Sequence, residues 1–404
     1  MRLDLLERLG EVTPTRSVLP LWAVAERVNQ KNLGLVENNL LSLSYGRVIR
    51  KEITEIGGLR PESYETYNII EAGDAVLRMT DLQNDQRSIR TGLATEKGII
   101  TSAYVTVRPR VSTVDPRFLV AALRAYDVKK VFYEMGAGVR QTLKFEELAH
   151  LPIPLPPLDD QQRIADFLDR ETAEIDAMDA ELDHLIDTLR ERKKTESMQT
   201  VVGATKEDLG VTTDWLPTGW VRGSLGHVVE SLDRARIPLS ALDRQSRSGP
   251  YPYYGASGVI DWVDDFLFDE DLVLVSEDGA NLLNRSTPIA FIAAGRYWVN
   301  NHAHVLRPRV GPPAFWAARI ECIDLAPWVS GSAQPKLTAE AMNSIPVSWP
   351  KDHLEMDRIA SELEDQTSRI DAMIADAQRL KALLGERRST LITEVVTGKK
   401  EVPS

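Results

Sequence analysis

Apolar side chains recur in two long stretches of the chain at alternating steps of four and three. In the first they fall at Ile164, Leu168, Ile175, Met178, Leu182, Leu185 and Leu189. In the second they fall at Ile359, Leu363, Ile370, Met373, Ala377, Leu380 and Leu384, and Glu171 and Gln366 fill the gap in each series. That spacing is the a/d seam of a heptad and predicts a long helix in each stretch, with a narrow stripe that needs a partner. The stretches are also copies of each other. RIADFLDRETAEIDAMDAELDHLIDTLRERKKTESMQTVVG from Arg163 aligns without a gap to RIASELEDQTSRIDAMIADAQRLKALLGERRSTLITEVVTG from Arg358, at an offset of 195 residues. A period that long marks duplication of a large unit rather than a solenoid. About 40 residues make a rod of about 60 Å. Pairing of the two seams with each other is the first reading, and packing of each helix on its own domain is the alternative. A chain duplicated around a pseudo-two-fold axis favours an antiparallel pair.

The rest of the chain follows the same duplication, more loosely. Leu3, Leu5, Leu6 and Leu9 suggest a short amphipathic helix. Leu40–Ser44 and Val48–Ile53 read as strands around the turn Tyr45-Gly46-Arg47. Strands are predicted at Ala75–Met79 and Ile99–Val107, and a helix over Phe118–Tyr126 after the start signal Asp115-Pro116. Residues 151–158, LPIPLPPL, read as a stiff extended linker, with Asp159 and Asp160 capping the first long helix. In the second half Trp220–Val229 echoes Trp22–Val28, Asp271–Ser276 echoes Asp74–Met79, and Val299–Leu306 with Arg307-Pro308-Arg309 echoes Ala103–Val107 with Arg108-Pro109-Arg110. Phe315–Ile320 echoes the Phe118 helix, Gly331–Leu337 echoes Gly138–Leu143, and Ile345-Pro346 with Trp349-Pro350 echoes the proline linker. The fold class expected is α/β plus long helices, arranged as two similar α/β domains, residues 1–150 and 204–344. Each is followed by a linker and helix, 151–203 and 345–404, and the helices form a long antiparallel two-helix coiled coil. A shared frame with diverged loops suggests two related tasks on two different targets.

Composition narrows the class. The chain has 404 residues, 43% of them hydrophobic and 27% charged, as expected of a protein with an ordinary core. A single cysteine, Cys322, excludes an internal disulfide framework. No apolar run reaches membrane-spanning length and Met1-Arg2-Leu3-Asp4 does not open a signal peptide, so a cytoplasmic protein without a membrane partner is expected. The net charge is −12, of which −7 lies in residues 151–200, while residues 1–150 are close to balance at +2. No domain carries a strong basic field, so DNA binding by this chain alone would be weak and would need a basic partner.

Catalytic signatures are missing. Gly398-Lys399-Lys400 lacks both the first glycine and the hydroxyl residue of a phosphate-cradling loop, and there is no Gly-x-Ser-x-Gly elbow or strand–GxG–helix cofactor loop. His302-Ala303-His304 offers two possible metal ligands on one strand, but no third has sensible spacing, and a turn or core role is the preferred reading. No catalytic and no metal site is expected. Recognition groups are better represented. Tyr253, Tyr254 and Ser257 lie in an aromatic, small-residue stretch that either approaches a phosphate closely or forms a hairpin turn. Asn281, Arg285, Arg296, Asn300 and Asn301 carry groups able to read base edges. Tyr45, Arg47, Arg50, Lys51, Arg78, Arg87 and Arg90 are candidates for the same part in the first domain. Arg140, Gln141 and Lys144, matched by Gln334 and Lys336, suit phosphate contact.

With these residues in view, the chain resembles the specificity subunit of type I restriction–modification systems. The resemblance is carried by YPYYGASGVI from Tyr251, VSEDGANL, WVNNHAHVLRP, GSAQPKL, the linker LPIPLPPLDDQQRIADFLD and the terminal LITEVVTGK. It implies two target-recognition domains that read the halves of an asymmetric, split site in double-stranded DNA, with the helix pair setting the gap. It implies a non-catalytic subunit that docks two methyltransferase subunits and, optionally, two restriction/translocase subunits. Adenine-N6 methylation and DNA cleavage, with their S-adenosylmethionine, ATP and Mg, would belong to those partners. The second linker departs from the pattern, since residues 345–357 lack the Gln161-Gln162 pair, which puts partner docking at that end in doubt. A non-catalytic coiled-coil adaptor that binds only proteins is the competing reading.

Overall fold

The structure, a computed structural model, describes residues 3–51, 63–82, 89–135, 142–202, 216–331 and 334–403. The chain forms two compact units. The first comprises Met1–Asp183 and Gln378–Ser404, and the second is the continuous segment His184–Ala377. Each contains an α/β region and part of both long helices, Leu158–Val202 and His353–Thr397.

The first unit is built on a four-stranded antiparallel sheet of β1 (Ala25–Arg27), β2 (Ala75–Leu77), β3 (Thr91–Leu93) and β4 (Val105–Pro109), in the order β1-β4-β2-β3. Helix Pro116–Val128 packs on it. Asp115 accepts hydrogen bonds from the Arg117 and Phe118 N–H groups and Pro116 sets the first turn, the start read from sequence. Strands Leu41–Ser44 and Arg47–Arg50 form the expected hairpin. Tyr45 and Gly46 both have positive φ, 45° and 79°, as a two-residue turn matched to strand twist requires.

The second unit repeats the frame with β5 (Val229–Ser231), β6 (Leu272–Ser276), β7 (Ala290–Ala293) and β8 (Ala303–Pro308), in the order β5-β8-β6-β7. Ala25 pairs with Pro109 and Val229 with Pro308, while Ala75 pairs with Val107 and Val273 with Leu306. The repeat therefore matches Ala75 to Val273, one residue away from the sequence alignment of Asp74 with Asp271. Helical turns Leu21–Val24 and Leu225–Val228 are equivalent, so Trp22 and Trp220 are not counterparts. The second unit adds a second four-stranded sheet, built around the hairpin of Ser248–Gly255 and Gly258–Val263.

Three sequence expectations are corrected here. Ile99–Val107 is not one strand. Gly98–Ile100 pairs with Asn68–Ile70, a turn follows, and β4 joins the main sheet. Val299–Leu306 divides in the same way at residues 300–302. Second, the proline stretch is not a linker. Pro152–Leu155 is a buried strand paired antiparallel with Ser17–Pro20, and Pro346–Pro350 pairs with Trp220–Ser224. Leu21 N–H donates to the Leu151 carbonyl, so residues 151, 153 and 155 carry the ladder. Pro152 and Pro154 fall between them, where no N–H is needed. Third, the pair Gln161-Gln162 is split: Gln162 is exposed, and Gln161 faces the core. It is buried, accepts from Asp115 N at 2.9 Å and donates to the Pro156 carbonyl at 2.9 Å. Its counterpart at the 195-residue offset, Met356, is fully buried against Gly311. The departure noted in the second linker thus exchanges a polar strut for an apolar one inside a core.

The two long helices are antiparallel within each unit. In the first, Asp176 pairs with Arg388 and Asp179 with Lys381. In the second, Lys193 pairs with Asp371 at 2.7 Å and Thr200 donates to Gln366 at 3.1 Å. Gln366, in the gap of the apolar series, thus makes a specific cross-helix bond. The seam itself differs from the heptad expectation. Ile164, Leu168, Ile175 and Leu189 are buried and Leu182 is half-buried, but Met178 is 47% exposed and Leu185 42%, and Ile186 lies inside instead. The second helix matches it: Ile359, Leu363, Ile370, Ala377 and Leu384 are buried, whereas Met373 and Leu380 are exposed. Inward positions recur every 11 residues at Ile164, Ile175 and Ile186 and at Ile359 and Ile370, with half-buried Lys381 next, while Leu363, Ile370, Ala377 and Leu384 keep one arm of the seven-residue step. A strict seven-residue repeat drifts about 20° per heptad around a straight helix, and an 11-residue repeat at about 3.67 residues per turn does not.

Helix and α/β core form one apolar cluster in each unit. In the first, Ile164, Phe167 and Leu168 meet Leu391, Ile392, Val395 and Val396 together with Leu151, Ile153 and Phe118. In the second, Val201, Ile359 and Leu363 join Phe315, Trp316 and Leu337. The first unit is also closed by its early and late segments, as Thr13 N–H donates to the Thr397 carbonyl and Arg16 to the Val395 carbonyl.

Inside the first unit Asp127 is buried at the end of helix Pro116–Val128. One carboxylate oxygen accepts the Arg90 N–H at 2.5 Å. Burial pushes its pKa up to about 6, against the lowering pull of that hydrogen bond.

Two predictions follow from this packing. Ile175→Ala or Leu384→Ala should each cost about 2–4 kcal/mol in urea unfolding of the full chain. Met178→Ala and Leu380→Ala should cost less than about 0.5 kcal/mol, and equal costs would restore the seven-residue seam. For Asp127, the folded chain holds its proton more tightly than the unfolded chain. Its contribution is therefore full below the unfolded pKa of about 4 and is lost as pH rises through about 6. Asp127→Asn should abolish that slope and gain on the order of 1–3 kcal/mol over the parent at pH 7. Unfolding curves for both chains at pH 4.5 and pH 7 measure the difference.

Candidate nucleic-acid interface

Four loops meet at one end of the main sheet of the second unit, and backbone hydrogen bonds fix them to one another. Asn300 N–H donates to the Tyr254 carbonyl and Glu277 N–H to the His302 carbonyl. Gly279 N–H donates to the Pro335 carbonyl, and the Ser276 hydroxyl to the Ala256 carbonyl. The loops around residues 255–258, 276–280, 300–302 and 334–336 are thereby held as one surface.

Beneath this surface lies an ion-pair network. Glu277 is gripped by Arg236 at 2.6 Å and by Lys336 at 3.1 Å. His304, 1% exposed, places Nδ1 2.6 Å from Asp233 and Nε2 2.8 Å from the Leu337 carbonyl. Asp233 also accepts the Val305 N–H at 2.9 Å. Burial alone would raise both carboxyls. His304, the Val305 N–H and Arg236 together outweigh it at Asp233, and Arg236, His304 and Lys336 together outweigh it at Glu277, so both stay below the usual carboxylate range. Asp233, Glu277 and His304 lie close enough to share a cation. Their charges are already matched, however, and both nitrogens of His304 face acceptors. The network's chemistry is that of a strut that pins β8 to the loops. His302 and His304 do not converge, because His302 sits on the surface and pairs with Asp278 at 2.8 Å.

Several sequence candidates turn out to be engaged in the fold of this unit. Tyr253 is fully buried and its hydroxyl accepts the Leu239 N–H at 2.9 Å. Tyr254 packs against Phe291 and Tyr297. The stretch around them is therefore a hairpin, with Tyr253 and Tyr254 turned inward. Asn300 is buried and accepts the His302 N–H. Arg285 donates to the Glu321 and Ile323 carbonyls, and Asn281 closes a turn with Ser286 and Thr287. Arg296, although exposed, pairs with Asp269 at 2.9 Å and lies over the Phe266 ring. Ser257, Asn301, Gln334 and Lys336 remain on the exposed loop surface. His302 lies with them on the exposed loop surface, where the His302-Ala303-His304 spacing reads only as a metal motif.

The first unit makes similar corrections. Arg90 is fully buried, with its guanidinium on Tyr133 and on the carbonyls of Arg78, Thr80 and Asp81. It is a core strut, not a base reader. Arg47 pairs with Asp176 of the first long helix at 2.5 Å, and Arg50 clasps Glu96 with two nitrogens. Arg78 is half-buried, whereas Tyr45, Lys51 and Lys144 are exposed, Tyr45 at the hairpin tip. Arg87, Arg140 and Gln141 lie outside the described residues. No helix among the described residues is long and apolar enough to cross a membrane.

Residues 86–185 and 217–381 match the family model described as the type I restriction modification DNA specificity domain, which together is more than half of the chain. A protein named as a type I restriction enzyme specificity subunit in Haemophilus influenzae is 31% identical over 143 residues, 35% of this chain. The MjaX specificity subunit of Methanocaldococcus jannaschii is 32% identical over 90 residues, 22% of this chain. The matches span 34% and 20% of those relatives' own lengths. Among solved structures, a chain from a study of complex assembly and conformational transition in the type I R-M system superposes with a TM-score of 0.65. The match covers 96% of this chain and 100% of that one at 16% identity, a likeness of fold. Two α/β frames of one topology, a duplicated antiparallel helix pair and a family model matched in both halves lead to one conclusion: the chain belongs to the type I restriction–modification DNA specificity family.

Proposed function

We propose that the chain selects the DNA site of a type I restriction–modification complex. Each α/β region reads one half of an asymmetric, split site in duplex DNA, and the helix pair sets the gap between the halves. Two methyltransferase subunits dock on the chain, joined by two restriction/translocase subunits where the system has them. S-adenosylmethionine, ATP and Mg are held by those partners, and this chain contributes no catalytic group.

One observation carries the reading: one sheet topology occurs twice while the loops at its edge differ. Identical frames suit one duplex geometry, and different loops suit different bases. The exposed candidates Tyr45, Lys51 and Lys144 in the first unit, and Ser257, Asn301, Gln334 and Lys336 in the second, are the groups assigned to DNA. A net charge of −12 leaves the electrostatic part of the affinity to basic partners.

Duplex selection by the chain reconstituted with its host's methyltransferase subunit tests the reading. Replacing residues 21–150 with those of a relative should change the bases of one half-site only, and a change in both halves would exclude modular reading. The 11-residue repeat of the seam sets a second test. Lengthening each helix by two matched repeats adds ~33 Å, close to the ~34 Å of one duplex turn. The spacer should then grow by about ten base pairs with both halves unchanged. Altered half-site bases would rule out the helix pair as a ruler.

A further inference from the structure

His302 is set into the loop surface of the second unit as a preoriented group. Its backbone is fixed on both sides: its N–H donates to the buried Asn300 side chain at 2.8 Å, and its carbonyl accepts the Glu277 N–H at 2.9 Å. Asn300, 6% exposed, is tied in turn to Tyr254. The His302 ring is fixed too. Nδ1 lies 3.0 and 2.8 Å from the two oxygens of Asp278, whose side chain is only 16% exposed. Asp278 is itself held by a backbone bridge to Lys336. The ring is 47% exposed, and among the described residues Nε2 takes no hydrogen bond.

This geometry determines what the ring can offer. A carboxylate only accepts hydrogen bonds, so Nδ1 carries the proton, and in the neutral ring Nε2 presents a lone pair to solvent. A fixed, outward acceptor matches the exocyclic amines of adenine and cytosine in the major groove and is repelled by the keto oxygens of guanine and thymine. Asn301, Ser257, Gln334 and Lys336 are exposed on the same joined loops and carry groups suited to phosphate and sugar contacts.

We propose that the Asp278–His302 pair is a base reader, with His302 Nε2 accepting a hydrogen bond from an adenine or cytosine amine at one position of one half-site. The inference rests on the DNA-reading function above and adds the residue and the class of base.

The test is selection from a random duplex library by the chain reconstituted with its host's methyltransferase subunit, for the parent, His302→Ala and His302→Lys. The parent should enrich adenine or cytosine at one position that His302→Ala renders degenerate, with a loss of roughly tenfold in preference and the other half-site intact. His302→Lys, which can only donate, should enrich guanine there instead. Thermal unfolding of each variant checks that the fold is kept, since among the described residues the ring hydrogen-bonds only to Asp278. A parent consensus unchanged in both variants, a uniform loss of binding across all sequences, or a parent preference for guanine or thymine at that position would overturn the proposal. A parent that enriches no consensus would overturn the DNA-reading function beneath it as well.

Discussion

Meshed aliphatic side chains between antiparallel helices are the constraint on which the rest of this molecule depends. The long helices are not rods appended to finished domains. Ile164 and Leu168 share an apolar cluster with Ile153 and Phe118, and Ile359 and Leu363 share one with Phe315 and Leu337. Sliding one helix along the other would tear open an α/β core as well as a helix seam. Register is therefore enforced by the domains, and the polar pairs Asp176–Arg388 and Lys193–Asp371 add direction rather than most of the stability.

That coupling explains which positions tolerate polarity. Lys381 occupies an inward position of the 11-residue pattern and reaches Asp179 and Asp183. A lysine is accepted there because its methylene stem covers the seam while its charge finds two carboxylates at the edge. Met178, Leu185, Met373 and Leu380 recur at the 195-residue offset although all four are exposed. Duplication has preserved their apolar character outside the seam.

The fold was largely legible from the chain. The helices, the hairpin at Tyr45-Gly46, the Asp115 cap and the duplicated frame all rest on local signals of spacing, turn chemistry and capping, and these act within a few residues. Phase over many turns was not legible, because alternating steps of four and three fit both the 7- and the 11-residue repeat over two turns and diverge later. The proline stretch misled because its pairing partner, Ser17–Pro20, lies far away in sequence. The site was less legible for the same reason. Arg90, Arg50 and Arg296 look alike as letters, and their roles depend on Tyr133, Glu96 and Asp269, which no local rule brings near. His304 and His302 stand two residues apart, yet one is a buried strut and the other faces solvent.

The path of the chain through its two units bears on the order in which they form during synthesis. The second unit is one continuous segment, whereas the first needs residues 378–404 to fill its apolar cluster and to receive the bonds of Thr13 and Arg16. A ribosome therefore releases everything required for the later unit before the earlier one can close. The usual vectorial order, N-terminal domain first, is reversed. Until then the Ile164 face awaits Leu391, Ile392, Val395 and Val396, so the nascent chain exposes apolar surface at its oldest end.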